Sequence, residues 1–270
     1  MPIQALHHVR RMRGGAQAHL LYCADGHFYV VKFQNNPQHV RVLANELLAT
    51  RIAERIGLPV PRTEVIEVGE WLVDHAPDLS LHFAGQTIAC RPGLQFGSRY
   101  VAHSLDRQVL DYLPDALLPR VHNLRDFAGV LALDKWTCNT DGRQAAFWRK
   151  RGGRKYRAAF IDQGHCFNAG EWSFLDSPLR GVHAQNEVYA GVTGWESFEP
   201  WLSRIEGLDE NVLWTCAEVV PPEWYAGQRE ALQRLLETLL KRRTRVRDLI
   251  TEFRQSSRQP FPRWAWRRYC

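Results

Sequence analysis

The chain has 270 residues, 45% hydrophobic and 24% charged, which is enough to bury a substantial core and excludes collagen-like, mucin-like and disordered classes. Its net charge of +6 invites a polyanionic partner, but residues 241–270 hold ten Lys and Arg against two acids and leave residues 1–240 at −2, so the basic balance describes a tail. No run approaches eighteen apolar residues and the start MPIQALHHVRRMRGG lacks a secretory apolar region, so no transmembrane segment and a cytoplasmic location are expected.

In chain order, Arg13-Gly14-Gly15-Ala16-Gln17 is small and pliable, and AHLLYC (18–23) and HFYVVKF (27–33) flank a D-G turn as a hairpin. Residues 38–56 carry Val42, Leu43, Leu47, Leu48, Ile52 and Ile56 at helical spacing and stop at Gly57. Strand-like runs follow at 63–74 and 86–91, and Pro92-Gly93 with Gly97 marks a composition shift and a domain boundary. From 106 the pattern reads as helical through DRQVLDYLPDALLP and NLRDFAGVLALDKWT. A second hairpin joins 144–149 to 155–162 through the basic turn Lys150-Arg151-Gly152-Gly153-Arg154. Helices fill the rest, the last running from GQREAL to LITEF. The six cysteines, at 23, 90, 138, 166, 216 and 270, form no C-x-x-C pair and are expected to be buried thiols.

Lys32 ends the apolar run of the first hairpin, where it either points into a cleft toward an anion or snorkels at a sheet edge. Glu46 lies mid-helix, able to hold that ammonium or simply to face water. Asp141 stands before the first strand of the second hairpin and Asp162 after its second, so antiparallel pairing brings both to one open end. Two acids there suit Mg2+, which takes one or two carboxylates plus water and phosphate oxygens; the alternative is a pair of turn-capping aspartates. In this order, a pliable loop, a strand lysine, a helix glutamate, a loop aspartate and a strand-terminal aspartate make a phosphotransfer set.

The set resembles the HipA-like kinases of the protein kinase and phosphatidylinositol kinase superfamily. The resemblance is carried by Gly15-Ala16-Gln17, Val30-Val31-Lys32, Asn45-Glu46-Leu47-Leu48 running to Gly57-Leu58-Pro59-Val60-Pro61, Asn139-Thr140-Asp141, and Phe160-Ile161-Asp162-Gln163-Gly164, over roughly residues 10–170. It implies an α+β, bilobal, protein-kinase-like fold: a small β-rich N-lobe over 1–92, a larger, mostly helical C-lobe over 93–240, and a basic tail over 241–270. It further implies that Gly14, Gly15, Ala16 and Gln17 cover ATP, that Lys32 meets its phosphates and pairs with Glu46, and that Asp141 is catalytic. Asp162 would hold Mg2+, and Ile88, Ala89 and Cys90, in the segment to Gly93, would form the adenine hinge.

Such kinases carry an asparagine five residues after the catalytic aspartate; here Ala146 stands there, and Gln144 or Asn139 is expected to supply the metal-binding oxygen. The expected activity is transfer of the ATP γ-phosphate to a hydroxyl, most readily Ser or Thr of an unidentified protein acceptor. The alternatives are a catalytically weak nucleotide-binding module and a lipid or small-molecule kinase. The tail, with Lys241, Arg242, Arg243, Arg245 and Arg247 and then Arg258, Arg263, Trp264, Trp266, Arg267 and Arg268, either docks as a helix with its charges in water or binds an acidic partner or nucleic acid.

Overall fold

The protein is described here by a computed structural model covering residues 1–102 and 107–264. Strands β1 (Ile3–Arg11), β2 (His19–Cys23), β3 (Phe28–Lys32) and β4 (Thr63–Val68), with β7 (Gly93–Arg99), form a closed sheet in the order β1-β2-β3-β7-β4. Closure comes from a short parallel pairing of Ile3 with Ile66 and Gln4 with Glu67. Inside lies a core of its own, with Leu21, Tyr29, Val31, Phe33 and Ile66 buried, as the period-2 alternation of the first hairpin requires. Helix α1 (Arg41–Arg55) packs its apolar stripe outside this core, against the helical remainder of the chain.

Several boundaries differ from the sequence expectations. The second half of 63–74 is a short helix, α2 (Glu70–His75), because Gly69 ends the strand. Strand β5 (Ser80–Phe83) pairs with β6 (Gln86–Ala89) in a separate two-stranded hairpin. Strand β7 pairs with both β3 and β4, so the barrel runs through Arg99, beyond the boundary expected at 92. The stretch expected to be helical from 106 holds instead β8 (Arg107–Leu110), then a 3-10 segment, Asp115–Arg120, ahead of α3 (Asp126–Thr137).

Strand β8 joins β9 (Gln144–Lys150) and β10 (Arg157–Ile161) in a three-stranded antiparallel sheet. The C-terminal part contains α4 (Trp201–Glu206), α5 (Glu210–Ala217), α6 (Arg229–Arg242) and α7 (Val246–Gln255). The last two were expected as one helix; a 3-10 turn at Arg243–Arg245 separates them. Helix α7 buries Val246, Leu249, Ile250 and Phe253 against α3. The five described cysteines are buried thiols; Cys270, Trp266, Arg267 and Arg268 lie outside the described residues.

Candidate active site

Lys32 is the last residue of β3, and its side chain crosses to α1, where its ammonium pairs with the Glu46 carboxylate. The same ammonium donates to Asp162 Oδ1 at 2.8 Å, a partner 130 positions away in the chain. Burial pushes the Lys32 ammonium down, but the two carboxylates outweigh it and raise it above the ordinary lysine value. Burial likewise pushes the Asp162 carboxyl up, and the Lys32 charge and hydrogen bond hold it well below the usual carboxylate range. Lys32 and Asp162 are thus held as a charged pair, whereas burial and the neighbouring Asp162 charge, against the pull of Lys32, leave the Glu46 carboxyl raised above the usual carboxylate range.

Helix α1 grips the segment after Asp162 through both Asn45 and Glu46. The Gln163 backbone N–H donates to Glu46 Oε2 at 2.8 Å. The fully buried Asn45 donates to the carbonyls of Gly164, at 2.9 Å, and Ala169, at 2.7 Å, and accepts from Trp172 Nε1 at 2.7 Å. A Cβ on Gly164 would lie 2.5 Å from Val42 Cγ1, so only glycine allows this approach. Asp162 itself has φ +63, a left-handed conformation uncommon outside glycine and concentrated at functional sites.

The second hairpin delivers the other acid. Helix α3 ends at left-handed Cys138, and Asp141 follows as an exposed residue whose carboxylate accepts from the Gly142 N–H at 2.7 Å. Gln144 pairs in register with Ile161, beside Asp162, and its amide donates to Asp162 Oδ2 at 3.0 Å. Ala146 lies opposite Ala159, one step inward on the same sheet face. The other face carries Ala145, Phe147, Ala158 and Phe160 and belongs to the main core cluster, whereas Ala146 and Ala159, also buried, lie outside that cluster. The Gln144 face thus carries a floor of two small, buried side chains leading away from Asp162.

Three expectations need correction in this structure. Asn139 is buried; its amide donates to Asp134 Oδ1 at 2.9 Å and its oxygen accepts from the Asp141 N–H at 3.1 Å, so it braces the loop and has no oxygen turned to a metal. Ile88, Ala89 and Cys90 do not join the two parts of the chain. Ile88 and Ala89 are exposed on the β5–β6 hairpin, while Cys90 is buried in the barrel core with its thiol pushed up to about 12 by burial. The connection instead follows Arg99, because β7 is the strand beside β3. Gln17, expected at the nucleotide, makes paired bonds with the His82 backbone, 2.6 Å to its carbonyl and 2.7 Å from its N–H. Of the four residues expected there only Gly14 (φ +128) and Gly15 are exposed, at the loop tip next to the exposed Arg13, and a Cβ on Gly15 would meet Gln38. Gln38 in turn lies 3.2 Å from His165 Nε2, which sets the tip over the segment after Asp162.

Sequence reasoning missed the braces beneath the loop. Arg143 is buried, its Nε donating to Asp134 Oδ2 at 2.9 Å and its Nη1 to the Ile161 carbonyl at 2.7 Å, with a second ion-pair contact to Asp134. Lys135, its ammonium pushed down to about 8 by burial, donates to the carbonyls of Pro178, at 2.8 Å, and Arg180, at 2.7 Å. Asp176 is held by Arg242 at 2.5 Å and by Arg245 at 3.4 Å. The signal was Asp134-Lys135 inside the otherwise apolar FAGVLALDKWT, since buried charges require partners.

Residues 7–149, just over half of the chain, match the sequence model of the HipA-like kinase, and the chain belongs to that family. No curated protein matches it. Among solved structures it is similar to the Helicobacter pylori proinflammatory kinase CtkA, at 15% identity over 90% of this chain and 95% of that one, with a TM-score of 0.57. It is also similar to hydra Fam20 solved with sugar, at 9% identity over 96% and 88% with a TM-score of 0.59. A third likeness is the Golgi casein kinase with Mn and ADP bound, at 10% identity over 95% and 73% with a TM-score of 0.51. These likenesses establish a kinase-like, mixed α+β fold.

Proposed function

We propose that the protein is a phosphotransferase that uses ATP and Mg2+ to phosphorylate a Ser or Thr hydroxyl of a protein acceptor. The observation that carries this reading is the buried chain Glu46–Lys32–Asp162, a cation oriented by a helix carboxylate at the mouth of a loop. Phosphoryl transfer asks a protein mainly to position groups and to neutralise charge, and Lys32 supplies a fixed positive charge for phosphate oxygens. The exposed tip at Gly14 and Gly15 brings backbone close to phosphates without side-chain obstruction. The Ala146–Ala159 floor suits the flat faces of ribose and base.

The oxygen donors present fit a hard divalent cation. Asp162 offers a carboxylate and Gln144 a carboxamide at the same end of the hairpin, and Mg2+ takes few protein ligands when phosphates and water supply the rest. Among the described residues no cluster of three His, Cys, Asp or Glu competes as a metal site. Bound there, the cation would neutralise phosphate charge. Asp141, exposed beside them, would orient the acceptor hydroxyl and take its proton.

The test is transfer from labelled ATP with Mg2+ to a mixed protein acceptor, comparing wild type with Asp162→Ala and Asp141→Ala. Both variants are expected to lose at least a hundredfold in rate. Transfer that survives Asp162→Ala would refute the reading.

A further inference from the structure

We propose that the far end of the β8–β9–β10 sheet is a docking surface for an acidic stretch of the polypeptide acceptor; the proposal rests on the kinase reading above. Residues 144–161 contain six basic side chains, Arg149, Lys150, Arg151, Arg154, Lys155 and Arg157, and no acid. These six equal the net charge of the molecule, so all other residues balance at 29 bases against 29 acids. Most cations of the described tail, Lys241 and Arg263 excepted, are already engaged. Arg242 and Arg245 pair with Asp176, Arg247 with Glu206, Arg243 donates to the Leu208 carbonyl, and Arg258 to the carbonyls of His183 and Ala184. By contrast Lys150, Arg151, Arg154, Lys155 and Arg157 are exposed and make no ion pair or side-chain hydrogen bond among the described residues.

The pairing register gives this charge a direction. Lys150 lies opposite Arg107 on β8, and Trp148 lies opposite Arg157 on β10 and Val109 on β8. Trp148 and Lys150 share the face of Ala146 and Gln144, since side chains two apart on a strand point the same way. That face runs from Gln144, beside Asp162, past the buried Ala146 and Ala159, where the nucleotide would lie, to Trp148 and then to the basic end, which therefore stands beyond the nucleotide. Six strand positions separate Gln144 from Lys150, about 20 Å, a span covered by some six residues of extended peptide. An acceptor whose acidic stretch lies at least that far from its hydroxyl reaches the basic end by passing beside the nucleotide rather than across the floor.

The surface fits a peptide better than a nucleic acid. Its aromatic rings are already covered: the Arg107 guanidinium sits 4.2 Å from the Trp148 ring centroid, and Arg149 sits 4.9 Å from that of Tyr156, itself buried. That leaves no free ring on which bases would stack. A duplex would extend past the hairpin onto a surface with no net charge, whereas a short run of carboxylates concentrates its charge on this strip.

Fluorescence anisotropy of a fluorescein-labelled dodecaglutamate peptide tests the proposal with full-length protein and a Lys150→Glu, Arg151→Glu, Lys155→Glu variant. The wild type is expected to bind at 50 mM NaCl, weakening several-fold at 300 mM, and the variant to bind at least tenfold more weakly. With a serine placed six to eight residues beyond the glutamates, the variant is expected to raise KM about tenfold with kcat unchanged. Equal affinity in both proteins, no binding by the wild type, an unchanged KM, or tighter binding of a 20-nucleotide strand or duplex would overturn the proposal. Thermal stabilisation by ATP and Mg2+, expected to be equal in both proteins, is read separately; its absence from both would overturn the kinase reading on which the proposal stands.

Discussion

Arg143 stands two residues after Asp141 and turns inward, away from any phosphate, where with Asp134 it forms an ion pair that is fully buried on both sides. Removing one member of such a pair leaves an uncompensated charge, so Asp134→Ala is expected to destabilise the fold by about 3–5 kcal/mol, measured as a lower urea midpoint. Arg143→Ala should cost a comparable amount. Asp134 could be seen in the sequence as a charge in need of a partner, but Arg143 could not be seen as that partner, because the burial of both groups depends on how α3 meets the β9–β10 hairpin. Lys32, Glu46 and Asp162, which the structure brings into contact, were legible together because their types and order are unusual in combination. The partners of Asn45 were not, since an asparagine that bonds three carbonyls over a hundred positions away leaves no local pattern.

At the scale of an element, the β9–β10 hairpin decides which side chain stands beside Asp162. Counting five positions from Asp141 selects Ala146, whereas the register sets Gln144 against Ile161 and Ala146 one step inward. Gln144→Ala is accordingly expected to weaken Mg2+-dependent ATP binding about tenfold in calorimetry while leaving the melting temperature nearly unchanged. Ala146→Leu should instead block the floor and reduce nucleotide affinity with or without Mg2+. Both hairpins were readable from alternation and their turns, as was α1 from its 3.6-residue period. Strand β8 was hidden because four residues flanked by charges resemble a helix start, and the role of β7 was hidden because pairing with β3 and β4 is a long-range event.

For the molecule as a whole, acid is the condition that should unfold it. Burial drives the imidazoles of His19 and His183 down to about 4, against an ordinary value of 6.5. Between those values the unfolded chain binds more protons than the folded one, so stability is full above pH 6.5 and falls as pH drops toward 4. Unfolding free energies from urea titrations at pH 7 and pH 5 should differ by roughly 2 kcal/mol for each of the two histidines, and a His19→Gln, His183→Gln protein should show a flatter dependence. The charge balance also takes on another meaning at this scale. The tail, which by composition reads as a separable basic appendage, is wired into the core: α7 packs on α3, and Arg242 donates to the Trp136 carbonyl at 3.0 Å and to Asp176. Deleting residues 241–270 should therefore abolish cooperative unfolding in circular dichroism, beyond any loss of partner binding.

That wiring also orders events during synthesis. The loop bearing Asp141 and the turn bearing Asp162 leave the ribosome eighty residues ahead of Arg242, which fixes Asp176 and closes over the end of α3. At ~5–20 residues per second, the nascent chain spends about 4–16 s holding every candidate catalytic residue without the buttress that sets their geometry. The scaffold behind the two aspartates is thus completed only after α6 has been made, well after the aspartates themselves.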